Sequence, residues 1–179
     1  MGSIVKGIIS LLMIGMLASF LVIAFIKPEQ RLDLAYTELP LRDKLAGMVL
    51  NGKPEITLTE PEVNGLLKKA LAIRPEVRPN VTVTGARFDL QGDQLTADVN
   101  VLIKRRIAAA ATLRFDLVWM EPYLVAVHKE TSVKQVKIPA SWFHLEPLQA
   151  NLNDYLPRLA AIRSVAFENA GVRLSFKLR

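Results

Sequence analysis

Cysteine is absent from the 179-residue chain. That excludes a disulfide framework, a thiolate nucleophile, a thiolate metal ligand and a lipoprotein anchor. A domain outside the cytoplasm would have to be stabilised by its core alone. Histidine is scarce: His128 and His144 stand alone, without the HxH or HExxH spacing that assembles a zinc site. Each reads as a surface or strand-partner histidine. The glycines of the domain are scattered singly at turns, so no phosphate-cradling loop is present. Ser141 lacks a nucleophile-elbow context and reads as a helix start. Asp89, Asp93, Asp98 and Asp116 fall on or beside alternating stretches, where cross-strand pairing with Arg87, Arg105 or Arg114 accounts for them. With no catalytic residue, metal ligand or cofactor motif, the chain is expected to be non-enzymatic.

One thing is present in quantity: an uncharged run. Residues 7–26, GIISLLMIGMLASFLVIAFI, hold twenty positions without a charge, bracketed by Lys6 and Lys27. At about 1.5 Å per residue they span roughly 30 Å, the thickness of a bilayer's hydrocarbon core. A cleavable signal peptide would place its small residues after the apolar run, whereas here MLAS interrupts it and FLVIAF follows. The expected organisation is an N-terminal tail (1–6), a transmembrane anchor (7–26), a juxtamembrane linker with a short helix (27–54) and an α+β domain (55–179). The charged residues do not orient it simply. Lys6 alone precedes the span, while Lys27, Arg31, Arg42 and Lys44 follow it. That count by itself leaves the C-terminal domain in the cytoplasm.

Beyond the span the apolar spacing assigns the elements. Leu41, Leu45, Met48 and Val49 recur at helical spacing up to Asn51-Gly52, predicting a short helix over 41–50. Ile56 and Leu58 alternate with threonines as a strand. Thr59 with Glu62 then forms a capping box opening a helix with a Val63, Leu66, Leu67, Ala70, Leu71 stripe, and Lys68 and Lys69 are turned away. From residue 80 the period becomes two. Val81 and Val83 shift phase at Gly85 to Ala86, Phe88 and Leu90, the mark of a β-bulge.

Leu95, Ala97, Val99, Val101 and Ile103 share the next face. After it, Ala108 to Ala111 favour a helix locally, yet the odd positions from Ile107 to Trp119 stay apolar over thirteen residues, and the strand is expected to win. MEPY reads as a tight reversal, and residues 124–139 as a third long strand with an irregularity near 131–135. Leu148, Leu152, Tyr155 and Leu156 predict a helix between Pro147 and Pro157, and a final hairpin turns at 168–171. Long strands joined by short turns make a meander, and such strands must coil. The fold class is therefore α+β: an N-terminal transmembrane helix, then a long-stranded, strongly curved antiparallel sheet packed on two or three helices.

The segments ITLTEPEVNGLLKKAL, LTADVNVLIKR, FDLVWMEPYLVAVH and VKIPASWF, behind an N-terminal anchor, resemble the YpmS-like proteins of Gram-positive bacteria. LTEPEVNGLL, with Asn64 at the helix start, carries most of the likeness. The resemblance implies a single-pass protein of the cell membrane with its N-terminal tail (1–6) cytoplasmic and its domain outside the cytoplasm, and brings no established activity. It also implies a curved sheet similar to half of a tubular lipid-binding domain.

Two binding surfaces follow as expectations. Small side chains on the concave face leave space, so Ala97, Val99, Ala109, Ala111, Leu113 and Phe115 are candidates to line a groove for a lipid or other apolar chain. Close packing of the same residues as core is the competing reading. Lys104, Arg105 and Arg106 are the densest basic cluster. They suit an anionic lipid or polymer surface, although cations at a sheet edge also block unwanted strand pairing. The expected partners are the bilayer, through residues 7–26, and either a lipid ligand or an envelope protein for which the domain is scaffold or regulator. Nucleic acid is not expected, since no basic–aromatic stacking motif is present.

Overall fold

The computed structural model describes residues 2–40, 44, 47, 48, 54–139, 145–156, 160–169 and 171–178, with the backbone alone for 2–11, 154, 155, 160 and 178. Helix α1 (Gly2–Ile26) precedes an α+β domain. There, β1 (Glu55–Thr59) runs straight into α2 (Glu60–Ile73). β2 (Glu76–Arg78), β3 (Val81–Gln91), β4 (Gln94–Ile103), β5 (Ile107–Met120), β6 (Tyr123–Val133) and β7 (Val136–Ile138) then lie side by side in chain order, all antiparallel. β8 (Leu148–Asn151) also pairs with β6. β9 (Ala160–Glu168) and β10 (Gly171–Leu178) join β1 in a smaller sheet of order β1-β10-β9. Strands as long as the 14-residue β5 coil under their own twist, and the larger sheet curls into a half-barrel.

Local chemistry explains the key boundaries. Glu62 accepts hydrogen bonds from the Thr59 backbone N–H at 2.8 Å and from its hydroxyl at 3.1 Å, closing the expected cap of α2. Ala108 to Ala111 are strand, paired along β4 from Leu102 to Val99. Cross-strand bonding and burial override the helix preference of alanine. The register between β3 and β4 slips between Val83 and Gly85, so the phase shift in the sequence is a bulge. It keeps Val83 and Ala86 on the same face as Leu90.

The concave face supplies the core. Leu90, Leu95, Ala97, Phe115 and Leu117 pack with Val172 of β10, against Val63 and Leu67 of α2 and Val165, Phe167 and Leu174 of the smaller sheet. A second cluster joins Ile56, Leu58, Ile162 and Phe176 to Leu66, Leu152 and Leu156. Leu90 and Ile162 are each 2% exposed, and each burial contributes about 2–3 kcal/mol relative to exposure.

Two expectations change. Residues 148–155 are β8 followed by a 3-10 helix (Leu152–Tyr155), not an α-helix. The leucine spacing is met another way, since Leu152 and Leu156 pack into the core while Leu148 is 61% exposed. The Asn151 side chain caps the short turn by accepting from the Asn153 N–H. Residues 124–138 are not one strand, because β6 and β7 form a hairpin reversed at 134–135, with Lys134 left-handed at φ 55°. Of the predicted helix over 41–50, Lys44, Gly47 and Met48 are helical and the rest lies outside the described residues. Among the described residues no helix is long and apolar enough to cross a membrane, the described side chains of α1 beginning at Leu12.

Candidate functional site

Antiparallel pairing sets the six groove candidates on neighbouring strands: Ala97 faces Leu113, Val99 faces Ala111, and Phe115 faces Leu95. Ala97 is 3% exposed and Phe115 8%, both inside the main core, with Val99 and Leu113 packed against it. Ala109 is buried and Ala111 half-buried. The space beside Ala97 is therefore filled by α2 and the smaller sheet: Ala97 and Phe115 are core, and Val99 and Leu113 are half-buried against it. Only Ala109 and Ala111 lie beyond the main core, toward the β4–β5 turn.

Residues 29–40, within the expected juxtamembrane linker, form a strap held to the domain. Glu29 pairs with Lys134 at 2.9 Å, and the Asn100 Nδ2 donates to the Gln30 carbonyl at 2.7 Å. A Cβ at Gly85 would overlap the Leu32 carbonyl, so glycine here serves the strap as well as the bulge. Beyond Thr82, the outer edge of β3 has no strand neighbour among the described residues. Its N–H groups are met by other acceptors: Val83 by the Pro75 carbonyl, Ala86 by the Asp33 carbonyl and Phe88 by the Asn64 side chain. Unpaired edge groups would otherwise template association.

Lys68 and Lys69, expected to face away, fasten the strap to α2. Lys68 pairs with Asp33 at 3.1 Å and Lys69 with Glu38 at 3.4 Å, its ammonium lying 5.7 Å from the Tyr36 ring centre. The Lys68 hydrogen bond, with that of the Ala35 N–H, holds the Asp33 carboxyl below the usual carboxylate range. Burial pushes the Glu62 carboxyl up, but Thr59 and Lys44 outweigh it and the net shift is downward. Sequence spacing could not find the strap. Asn64, a polar side chain early in α2, marks a different contact, accepting from the Phe88 N–H on the β3 edge 24 residues away.

The basic cluster forms the β4–β5 turn. Lys104 and Arg105 are both left-handed (φ 49° and 56°), the Arg106 N–H donates to the Ile103 carbonyl at 3.0 Å, and the Lys104 N–H donates to Asn80 in the neighbouring turn at 2.8 Å. All three side chains are exposed. None pairs with a carboxylate among the described residues.

His128 sits on β6 opposite Phe115, edge-on to its ring with centroids 5.6 Å apart, and shares a 2.8 Å hydrogen bond with the buried Thr131. His144 and Ser141 lie outside the described residues. No group of three metal-binding side chains occurs among the described residues. A cleft of about 570 Å³ opens between the strap and α2, beside Tyr36, Leu39, Pro61, Asn64 and Lys68. It brings no nucleophile–base pair together. Comparison with family models, curated proteins and solved structures returned no match.

Proposed function

We propose that this is a single-pass membrane protein of the YpmS-like kind whose extracytoplasmic α+β domain is a non-enzymatic binding module, engaging a cell-envelope protein as scaffold or regulator. The observation that carries the anchor is the surface of α1. Leu12, Met16 and Phe20 are 68%, 78% and 69% exposed, and leaving such side chains in water forgoes about 1.5–3 kcal/mol each. A helix apolar all round needs a cover. The helix backbone runs for 25 residues from Gly2 to Ile26, about 37 Å, long enough for a bilayer to supply that cover. The packing of Ala97, Val99, Leu113 and Phe115 into the core favours engagement through the outer surface.

The absence of native cysteine makes the topology directly testable. An Arg163→Cys variant, exposed on β9, should react with a membrane-impermeant maleimide on intact cells as fully as after lysis, and the chain should resist alkaline extraction from membranes. Labelling only after lysis would reverse the orientation, and release by alkali would remove the anchor. Crosslinking in intact membranes should then recover a stoichiometric protein partner.

A second reading, an apolar chain held against the sheet, draws support from Val101, Ile103, Ile107 and Ala111, which are half-buried beyond the core. An amphiphile that co-purifies in native mass spectrometry and is lost in Ala111→Leu would favour it.

A further inference from the structure

We infer that the β4–β5 turn, through Lys104, Arg105 and Arg106, docks on the anionic phospholipid headgroups of the bilayer that holds α1; this rests on the anchor reading above.

Three observations converge on it. The first is position. In an antiparallel meander the β2–β3, β4–β5 and β6–β7 turns share one end of the sheet, and α1 meets the domain at that end. Phe25 lies 5.1 Å under the Lys134 ammonium of the β6–β7 turn, Glu29 pairs with the same lysine, and α1 touches β5. β6 turns away one residue beyond the Thr112–Ser132 pair, while β5 continues to Ile107. The β4–β5 hairpin therefore reaches about 15 Å past the last β5–β6 pair.

The second is charge. At this end Lys104, Arg105 and Arg106 are exposed and form no ion pair among the described residues, and the Glu76 carboxylate of the neighbouring turn accepts from the Asn80 N–H at 3.1 Å. The opposite end carries Asp93 and Glu121 in its turns, Glu121 being tied to Lys177 at 2.6 Å. The domain thus turns its cations toward the side from which the apolar helix leaves. Guanidinium and ammonium groups there match phosphodiester oxygens.

The third is strain. Ile103 pairs with Ile107, so three residues make the reversal, and the bond from the Arg106 N–H to the Ile103 carbonyl closes a turn whose two left-handed centres, Lys104 and Arg105, Asn-Gly would fill with little cost. Lysine and arginine adopt the left-handed conformation against the clash of their Cβ atoms. A turn that keeps cations where Asn-Gly would be easier marks a site held for its charge.

The test uses the full chain in the cysteine-free background, with Ala108→Cys, exposed at the root of the turn, carrying an environment-sensitive fluorophore. Asp93→Cys at the far end is the control. The chain is placed in bilayers of phosphatidylcholine alone, and of phosphatidylcholine mixed with equal phosphatidylglycerol. Blue-shifted emission and quenching by headgroup-labelled lipid are expected at position 108 in the anionic bilayer only, with none at position 93. Lys104→Gln, Arg105→Gln and Arg106→Gln should each weaken this docking about five-fold, and the three together ~100-fold.

Should the triple variant unfold, salt on the unsubstituted tip substitutes for it, since docking must fade as ionic strength rises toward about 1 M. Equal emission in both bilayers, or a salt-insensitive signal, overturns the inference. So does an equal shift produced in neutral bilayers by soluble polyphosphate, which would make the ligand a polymer. A chain that fails to enter either bilayer instead overturns the anchor reading, a separate outcome.

Discussion

The two ends of the same strands behave differently. Near the β3–β4 turn, β4 and β5 bury Leu95, Ala97, Phe115 and Leu117 beneath α2 and the smaller sheet. Near the β4–β5 turn they carry half-buried Val101, Ile103, Ile107 and Ala111 and end in three exposed cations, with the strap and the end of α1 beside them. Both ends share one alternation and one register. The difference is therefore made by what crosses the sheet. Strand length beyond the core is extra surface, and here it lies beside the exit of the apolar helix.

The largest expected effect lies at the core end. Leu90→Ala, at a side chain 2% exposed, should lower unfolding free energy by about 2–5 kcal/mol in denaturant titrations of the detergent-solubilised chain. Gly85→Val comes next. Its side chain meets the Leu32 carbonyl, so the strap must lift, with a loss of about 1–3 kcal/mol and new protease cleavage between residues 29 and 40. A strap that stays protected in this variant would break the distinction drawn here, because it would not be held at Gly85.

Opposite in sign and smaller, the double replacement Lys104→Asn with Arg105→Gly should raise stability by about 1 kcal/mol in the same titration, by relieving the left-handed conformation. The smallest effect is acid dependence at the α2 cap. The Glu62 carboxyl is lowered on folding, so the stability it adds is complete above the ordinary glutamate value, about 4.3. That contribution is lost as pH falls through the lower folded value. Glu62→Gln should remove this part of the acid slope, read as a flatter dependence of unfolding free energy on pH below the ordinary glutamate value.

Much of the strand pattern was legible because period two and a bulge at Gly85 are written in adjacent residues. The capping box at Thr59 and Glu62 was equally local. The β6–β7 reversal was not legible, since neither Lys134 nor Gln135 is a turn residue and only tertiary contacts hold the left-handed lysine. The leucines at 148, 152 and 156 imitate a helix because a strand followed by a 3-10 turn can present two of them to the same core.

The site divides in the same way. The spacing placed Ala97 and Phe115 on the inner face, but whether that face was open depended on α2 and on β9 and β10, far away in sequence. The strap escaped notice because its bonds, from Asn100 to Gln30 and from Ala86 to Asp33, join residues more than fifty positions apart through backbone carbonyls that no side-chain pattern records. The cations at 104–106 were plain in the sequence. Their place beside the anchor was not.

The most direct test of the closed concave face is the unfolding free energy of Ala97→Leu. The account predicts a loss of about 1–3 kcal/mol, because a leucine must be forced between Phe115 and the residues packed over it. An unchanged or raised value would mean that the space beside Ala97 is open, and would return the concave face to the lipid-binding reading.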